Sequence, residues 1–229
     1  KQMLNADEEE TQQLSAELNG FISYYKRAGK LNGAVKDTHY LIHTDTYQGC
    51  KTAELIQEWG EAHGIKFMPV KIDDLNTASV EEFRMGINTL IEWCDLTLPG
   101  YRSQNYEVIF NLVGGFKSLQ GYMQTLGMFY ADETIYIFDT GHALLRIPRM
   151  PVDFAATAKQ AVFDNLEKFR LMQKESLDRS ECEGIPETLL DIMDGRCSLS
   201  AWGRVIFEDV QHTAYSGKLL EPLSDRIEI

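Results

Sequence analysis

The sequence predicts an α/β layer fold around a largely parallel sheet. Two observations predict it. Helix-like and strand-like segments alternate along most of the chain, in the order helix, strand, helix, strand, helix, strand, helix, strand, strand, helix. The helical segments carry apolar residues at helical spacing, whereas the strands are short β-rich runs bounded by glycine or polar loops.

Residues 8–28 read as one helix, with Leu14, Leu18, Phe21, Ile22 and Tyr25 on a single stripe and Gly29 and Gly33 as its stop. His39 to His43 is a short strand, followed by the polar loop Thr44-Asp-Thr-Tyr-Gln-Gly49. A second helix spans about 50–63, with Leu55, Ile56 and Trp59 inward and Gly64 closing it; Ile65 to Ile72 is the next strand. Residues 79–98 make a third helix that Pro99-Gly100 breaks. Tyr106 to Val113 is the most strand-like run; Gly114-Gly115 punctuates it, and Phe116 to Tyr130 is helical. Thr134 to Phe138 and Ala143 to Ile147 are strands joined by a turn at Asp139 to His142. Arg146 to Pro151 is extended, because residues before proline avoid the helical region. A long helix covers Phe154 to Lys174.

The composition then shifts. Glu175 to Gly184 is charged, poor in large apolar groups, and reads as a linker. Beyond it, 186–194 and 200–215 read as two short helices, the second capped by Ser198 or Ser200. The expected organisation is a domain over 1–174 and a linker with a small helical connector over 175–229, which leads toward an effector domain.

Of the 229 residues, 44% are hydrophobic and 25% charged, which excludes collagen-like and wholly disordered chains. No run approaches the roughly 18 apolar residues of a membrane span, and the polar start has no signal-peptide core. Cys50, Cys94, Cys182 and Cys197 are widely spaced without a C-x-x-C pair, against a disulfide framework or zinc ribbon and in keeping with a reducing cytoplasm. The net charge of −13 argues against a bulk grip on duplex DNA. From Tyr101 to Pro151, however, Arg102, Lys117, Arg146 and Arg149 balance Glu107, Asp132, Glu133 and Asp139. A small anion meets less repulsion there than elsewhere.

The main chemical feature is Asn111-Leu-Val-Gly-Gly-Phe-Lys-Ser118, where a buried strand hands over to a helix. Ligands of open α/β sheets bind at strand carboxyl ends. Gly114 and Gly115 let backbone approach a ligand, the amides of a helix start attract anions, Lys117 adds a charge, and Ser118 adds a hydroxyl. This is a phosphate cradle of neither Walker A nor G-x-G-x-x-G spacing; the alternative is a tight turn with a solvated lysine. The loop Thr44 to Gly49 occupies the same topological place, with Tyr47 for stacking on a base and Thr46 and Gln48 for ribose or phosphate; the alternative is a helix-capping loop. Ser15-Ala-Glu-Leu-Asn19 reads as a helix cap rather than as a ligand contact by Glu17 and Asn19. The five histidines are scattered, no H-E-x-x-H or G-x-S-x-G occurs, and His39 and His43 read as structural.

With S-A-E-L-N at 15–19, D-T-Y-Q-G at 45–49, N-L-V-G-G-F-K-S at 111–118, I-Y-I-F-D at 135–139 and R-I-P-R-M-P at 146–151, the sequence resembles the CARF (CRISPR-associated Rossmann fold) domains of type III CRISPR systems over about 10–155. The resemblance implies a Rossmann-like, mainly parallel sheet with helices on both faces and a first strand ahead of the first helix, although the first element predicted here is already a helix, Lys1 to Asn5 is too short and polar for that strand, and its loss would leave a gap in the core. It implies a cytoplasmic homodimer whose two-fold pocket binds cyclic oligoadenylate, with cyclic tetraadenylate the expected ring, and so regulates an antiviral effector. The alternative is a ring nuclease that cleaves this messenger, Lys117 then stabilising charge on the scissile phosphate. By position, Thr46, Tyr47, Gln48, Gly49, Gly114, Gly115, Phe116, Lys117 and Ser118 line the pocket. No cofactor or metal is implied. A two-fold dimer presents each residue twice, which matches a two-fold cyclic nucleotide. A non-CRISPR nucleotide-binding α/β enzyme is weakened by the absent G-x-G-x-x-G.

Overall fold

The computed structural model describes residues 6–27, 34–138 and 143–215. The helix stop at Gly29 and Gly33, the turn at 139–142 and the segment 1–5 lie outside the described residues. The chain divides into two compact units, Lys1–Val152 and Asp153–Ile229.

In the first unit, the helix expected over 8–28 is two helices, α1 (Glu8–Leu14) and α2 (Ala16–Arg27). Ser15 separates them. Its backbone is extended, and its Oγ accepts from the Leu18 amide at 3.2 Å, so the serine ends one helix and caps the next. α1 folds back along α2, with Gln12 Nε2 donating to Asn19 and Ser23 and Lys26 paired with Glu8. The cap reading of S-A-E-L-N therefore holds.

β1 (His39–Thr44), α3 (Tyr47–Ala62) and β2 (Phe67–Ile72) form a βαβ unit with parallel pairing, His39 opposite Phe67 and Thr44 opposite Ile72. Pro69 sits in β2, whose outer edge pairs with no other strand among the described residues, so its missing N–H costs no ladder bond there. α4 runs from Val80 to Ser103, through the break expected at Pro99-Gly100. Tertiary contacts hold its last turn: the Tyr101 hydroxyl lies 2.7 Å from that of Tyr40, and Arg102 donates to Asp132 at 2.9 Å. β3 is only Ile109–Asn111. α5 (Lys117–Tyr130), β4 (Glu133–Ile137) and β5 (Leu144–Pro148) complete the unit; β4 is parallel to β3 and antiparallel to β5.

One continuous, mainly parallel sheet is not what these strands form. β1 and β2 make a two-stranded parallel sheet, and β3, β4 and β5 a separate mixed one. Helices do flank both faces. On one side, Phe21 of α2 packs against Trp59 of α3, His39 and Phe67 at centroid distances of 6.2, 5.1 and 5.1 Å. Leu41 faces this cluster. On the other side, Tyr40, next along β1, meets Trp93 and Tyr101 of α4 at 5.0 and 6.0 Å. Adjacent strand residues point to opposite faces, so α2 and α3 cover one face of β1 and α4 the other.

In the second unit, the expected single helix over 154–174 is α6 (Ala156–Asp164) and α7 (Leu166–Met172), divided at Asn165. The segment 175–184 carries β6 (Leu177–Asp178) and a 3-10 turn, Arg179–Cys182, and buries Leu177 and Cys182. Its charge sits on the surface, while these two side chains supply the packing that composition alone conceals. The helix expected at 186–194 is instead a 3-10 turn, Glu187–Leu189, followed by β7 (Leu190–Met193). β7 returns as β8 (Arg196–Leu199) through Asp194-Gly195, whose φ values of 48° and 76° suit a two-residue hairpin turn. β8 lies between β6 and β7, antiparallel to both. This unit is thus not purely helical, as expected, but carries a three-stranded sheet. α8 (Ala201–Tyr215) starts at Ser200, whose Oγ accepts from the Gly203 amide at 3.0 Å. Phe169 and Phe207 are buried, with centroids 5.8 Å apart.

Candidate functional site

Both candidate loops leave the carboxyl ends of parallel strands in the first unit. After β1, Thr46 caps α3, its Oγ1 accepting from the Gly49 amide at 3.0 Å and lying 2.8 Å from Thr44 Oγ1. A Cβ on Gly49 would lie 2.1 Å from Thr44 Oγ1, so only glycine fits under this hydroxyl pair. Thr46 and Gly49 thus shape the loop. Tyr47 is 81% exposed and Gln48 is exposed, so both are available to a ligand. Lys71 bridges Asp73 at 2.7 Å and Asp45 at 3.2 Å, and hydrogen bonding to these carboxylates, Asp73 foremost, raises the pKa of its ammonium group.

After β3, Asn111 ties the loop to α2. Its Nδ2 donates to the Glu17 carbonyl at 2.9 Å, and its Oδ1 accepts from the Val113 amide at 3.3 Å. Gln120 Nε2 donates to the carbonyls of Leu112 and Gly114 at 3.3 and 3.2 Å. Gly115 has φ 94°, a left-handed conformation that favours glycine. Phe116 is the N-cap of α5 and makes no side-chain cap bond, whereas Thr46, Ser79 and Asp7 cap α3, α4 and α1. The first amides of α5 are therefore left without a side-chain acceptor. Lys117 and Ser118 in this turn are exposed, and Lys117 makes no ion pair among the described residues.

Glu17 is the neighbour for which the sequence favours a helix cap over a place near a ligand. Its carboxylate accepts from Ser15 Oγ at 2.9 Å and lies over Gly114, where a Cβ would come within 2.2 Å of Oε1. The S-x-E spacing at 15–17 is the signal that pointed here. Asn111 was likewise in the motif but not among the expected lining residues.

The two loops share one edge through intermediaries rather than by direct contact. The Asp45 amide donates to the Leu75 carbonyl at 3.0 Å. Gly86 of α4 packs on the Leu75 backbone, and Phe83 of α4 meets Phe116 at a centroid distance of 6.0 Å.

The histidines here serve the fold. His39 Nε2 lies 2.8 Å from the Ala34 carbonyl, and burial lowers its pKa despite that bond. His43 Nδ1 lies 3.1 Å from the Thr44 carbonyl and His63 Nδ1 2.7 Å from that of Trp59. Among the described residues no group of three or more His, Cys, Asp or Glu is placed to hold a metal ion. A cavity of about 40 Å³ lies elsewhere, between α5 and the β4–β5 pair, lined in part by Gln124, Thr134 and Arg149.

A family model described as CRISPR-associated protein (Cas_APE2256) matches residues 12–150, more than half of the chain. The chain belongs to this CRISPR-associated family. The match takes in α2 through β5 and both candidate loops. No curated protein matches the chain. Among the described residues of this Cas_APE2256 family member, no helix is long and apolar enough to cross a membrane.

Proposed function

We propose that the first unit is a CARF-type sensor that binds cyclic oligoadenylate as a homodimer and so regulates a type III CRISPR effector in the cytoplasm. The observation that carries this reading is the uncapped start of α5, with Lys117 in its first turn, at the carboxyl end of a parallel strand. Such a helix end offers amides and partial positive charge to a phosphate. Tyr47 supplies an exposed ring for a base, and base–aromatic stacking contributes about 1–3 kcal/mol. Membership of a CRISPR-associated family supports the assignment to that defence context.

One observation favours a second reading, a ring nuclease. The Glu17 carboxylate lies beside Gly114 in the same cradle. There it would take the proton of an adenosine 2′-hydroxyl as that oxygen attacks phosphorus in line. The 5′-oxygen would leave and take up a proton from solvent, with Lys117 stabilising the charge on the phosphate.

The test is incubation of the chain with cyclic tetraadenylate and with cyclic hexaadenylate, followed by thermal-shift scanning and by chromatography of the nucleotide. A raised Tm with intact rings is the expected result for the sensor. A raised Tm with linear products selects the nuclease. No shift and no cleavage with either ring refutes both.

A further inference from the structure

The buried sulfurs of the second unit gather at one place. Met172 ends α7, Cys182 ends the 3-10 turn Arg179–Cys182, and Cys197 lies in β8. All three side chains belong to one buried core. The unit's remaining sulfur, that of Met193, is on an exposed residue. Cys182 joins the group together. Its Sγ donates to Met172 Sδ at 4.0 Å, and its thiol is also hydrogen-bonded to that of Cys197.

Separate parts of the fold bring them there. Antiparallel pairing of β6 with β8 sets Leu177 opposite Cys197. Asp178 then caps the 3-10 turn, its carboxylate accepting from the Ser180 amide at 3.0 Å, and the turn packs Cys182 back toward β8. α7 packs on β8 as well. Thiols and thioethers fill cores as small or adaptable hydrophobes, so burial alone assigns them nothing. Their convergence from three elements does, because it assembles three soft donors around one point.

The spacing suits a metal ion. A metal–sulfur bond is about 2.3 Å long, so two sulfurs of a trigonal site stand about 4 Å apart. Cys182 and Met172 already have that separation. The donor types select the ion. Zinc takes thiolate, imidazole and carboxylate ligands, almost always four of them. No three such groups are placed around a metal among the described residues. Two thiolates with a thioether instead suit a soft ion such as Cu(I). Charge is nearly balanced: two thiolates and one Cu⁺ leave a single negative charge, which Lys168 offsets near Cys182 and Glu181 opposes. Access is short. From 178 to 184 every residue except Cys182 is exposed, so the thiol lies one turn beneath the surface.

We propose that Met172, Cys182 and Cys197 form a buried three-coordinate site for Cu(I). One Cu⁺ enters and two thiol protons leave, that of Cys197 and that of Cys182, which now points at the thioether. No electron is transferred. Burial foremost, and then the bond to Cys197, pushes the Cys182 thiol up to about 11, so it keeps its proton until a metal replaces it. The bound ion would tie the end of α7, the 3-10 turn and β8 into one clamp. It would hold the charged stretch 175–184, which reads as a linker, against the core of the second unit. The site is independent of the nucleotide reading of the first unit.

The test is an anaerobic titration of the full chain with Cu(I), using bicinchoninate as a coloured competitor. A Cys50→Ser background removes the one cysteine that is not buried. The expected result is one Cu(I) per chain, close to two protons released per ion in unbuffered solution, and a raised Tm. Met172→Leu keeps the volume of the side chain and is expected to fold as the parent does. It should nevertheless weaken Cu(I) binding at least tenfold, which a merely structural methionine would not do. Cys197→Ala should abolish the binding; if that variant does not fold, the Met172→Leu comparison decides. Equal affinity with and without the Met172 thioether overturns the proposal. So does Cu(I) binding that survives in folded Cys197→Ala, zinc bound as tightly as Cu(I), or a Cys182–Cys197 disulfide in protein kept from air.

Discussion

Gly114→Ala offers a direct test of the contact between the α5 cradle and α2. A Cβ at this position would lie 2.2 Å from Glu17 Oε1, 2.5 Å from Cδ and 2.8 Å from Cγ. Ordinary contact needs about 3.4 Å or more, so the carboxylate must swing away. Doing so breaks its hydrogen bond from Ser15 Oγ, which is worth about 1 kcal/mol. Leaving its rotamer well costs about another 0.5–1 kcal/mol. Gly114 is not among the glycines with positive φ, so alanine is conformationally admissible and recovers about 0.4–1 kcal/mol through the unfolded chain. The net expectation is a loss of about 1 kcal/mol, or about 2–4 °C in Tm for a unit of this size. In a Glu17→Ala background the clash vanishes and only the gain remains, so the same substitution becomes mildly stabilising. The coupling energy of the cycle is therefore about 1–2 kcal/mol. Urea unfolding followed by tryptophan fluorescence in a Trp202→Phe background reads this cleanly, because Trp59 and Trp93 belong to the first unit. Equal effects of Gly114→Ala with and without Glu17, or no loss in the parent, would refute the reasoning.

Lys117→Ala should lower affinity for cyclic tetraadenylate at least tenfold and leave Tm within a degree or so, because the side chain is exposed; an unchanged titration misplaces the phosphate cradle. His39 should titrate below the ordinary 6.5, since burial holds it neutral. The unfolded chain then takes up this proton first, so its contribution to stability is full above about pH 6.5 and declines as the pH falls; an NMR midpoint at or above 6.5 contradicts this. In the second unit, Phe169→Ala should cost about 3–5 kcal/mol, because the ring is fully buried against Phe207; a denaturation midpoint near that of the parent would rule out this packing.

Residue patterning carried the helices of the first unit well, because α2, α3, α4 and α5 each bury an apolar stripe. It failed where a single residue or a distant partner decides. Ser15 and Asn165 split helices whose apolar stripes run through them. Pro99 did not end α4, because Tyr101 and Arg102 find partners on β1 and beside β4 that local sequence does not reveal. Leu189, Leu190 and Ile192 resemble a helical face, yet Asp194-Gly195 flanked by apolar runs was a readable hairpin signal. The candidate loops were legible because glycines and polar residues follow β-rich runs. The approach of Glu17 to Gly114 was not, since it joins residues nearly a hundred positions apart.

The contacts of α2 also bear on the kinetics of the first unit. β1-α3-β2 and β3-α5-β4 are each assembled from neighbours in sequence. α2 joins them through Asn111 and Glu17, 94 positions apart, and through Arg27 and the Leu144 carbonyl, 117 apart. Loop-closure entropy for such contacts is met only after the local pieces exist. Interactions absent from the transition state act on the unfolding rate and leave the folding rate nearly untouched. This seam along α2 is thus expected to set the lifetime of the folded unit, while the two local halves set how quickly it forms.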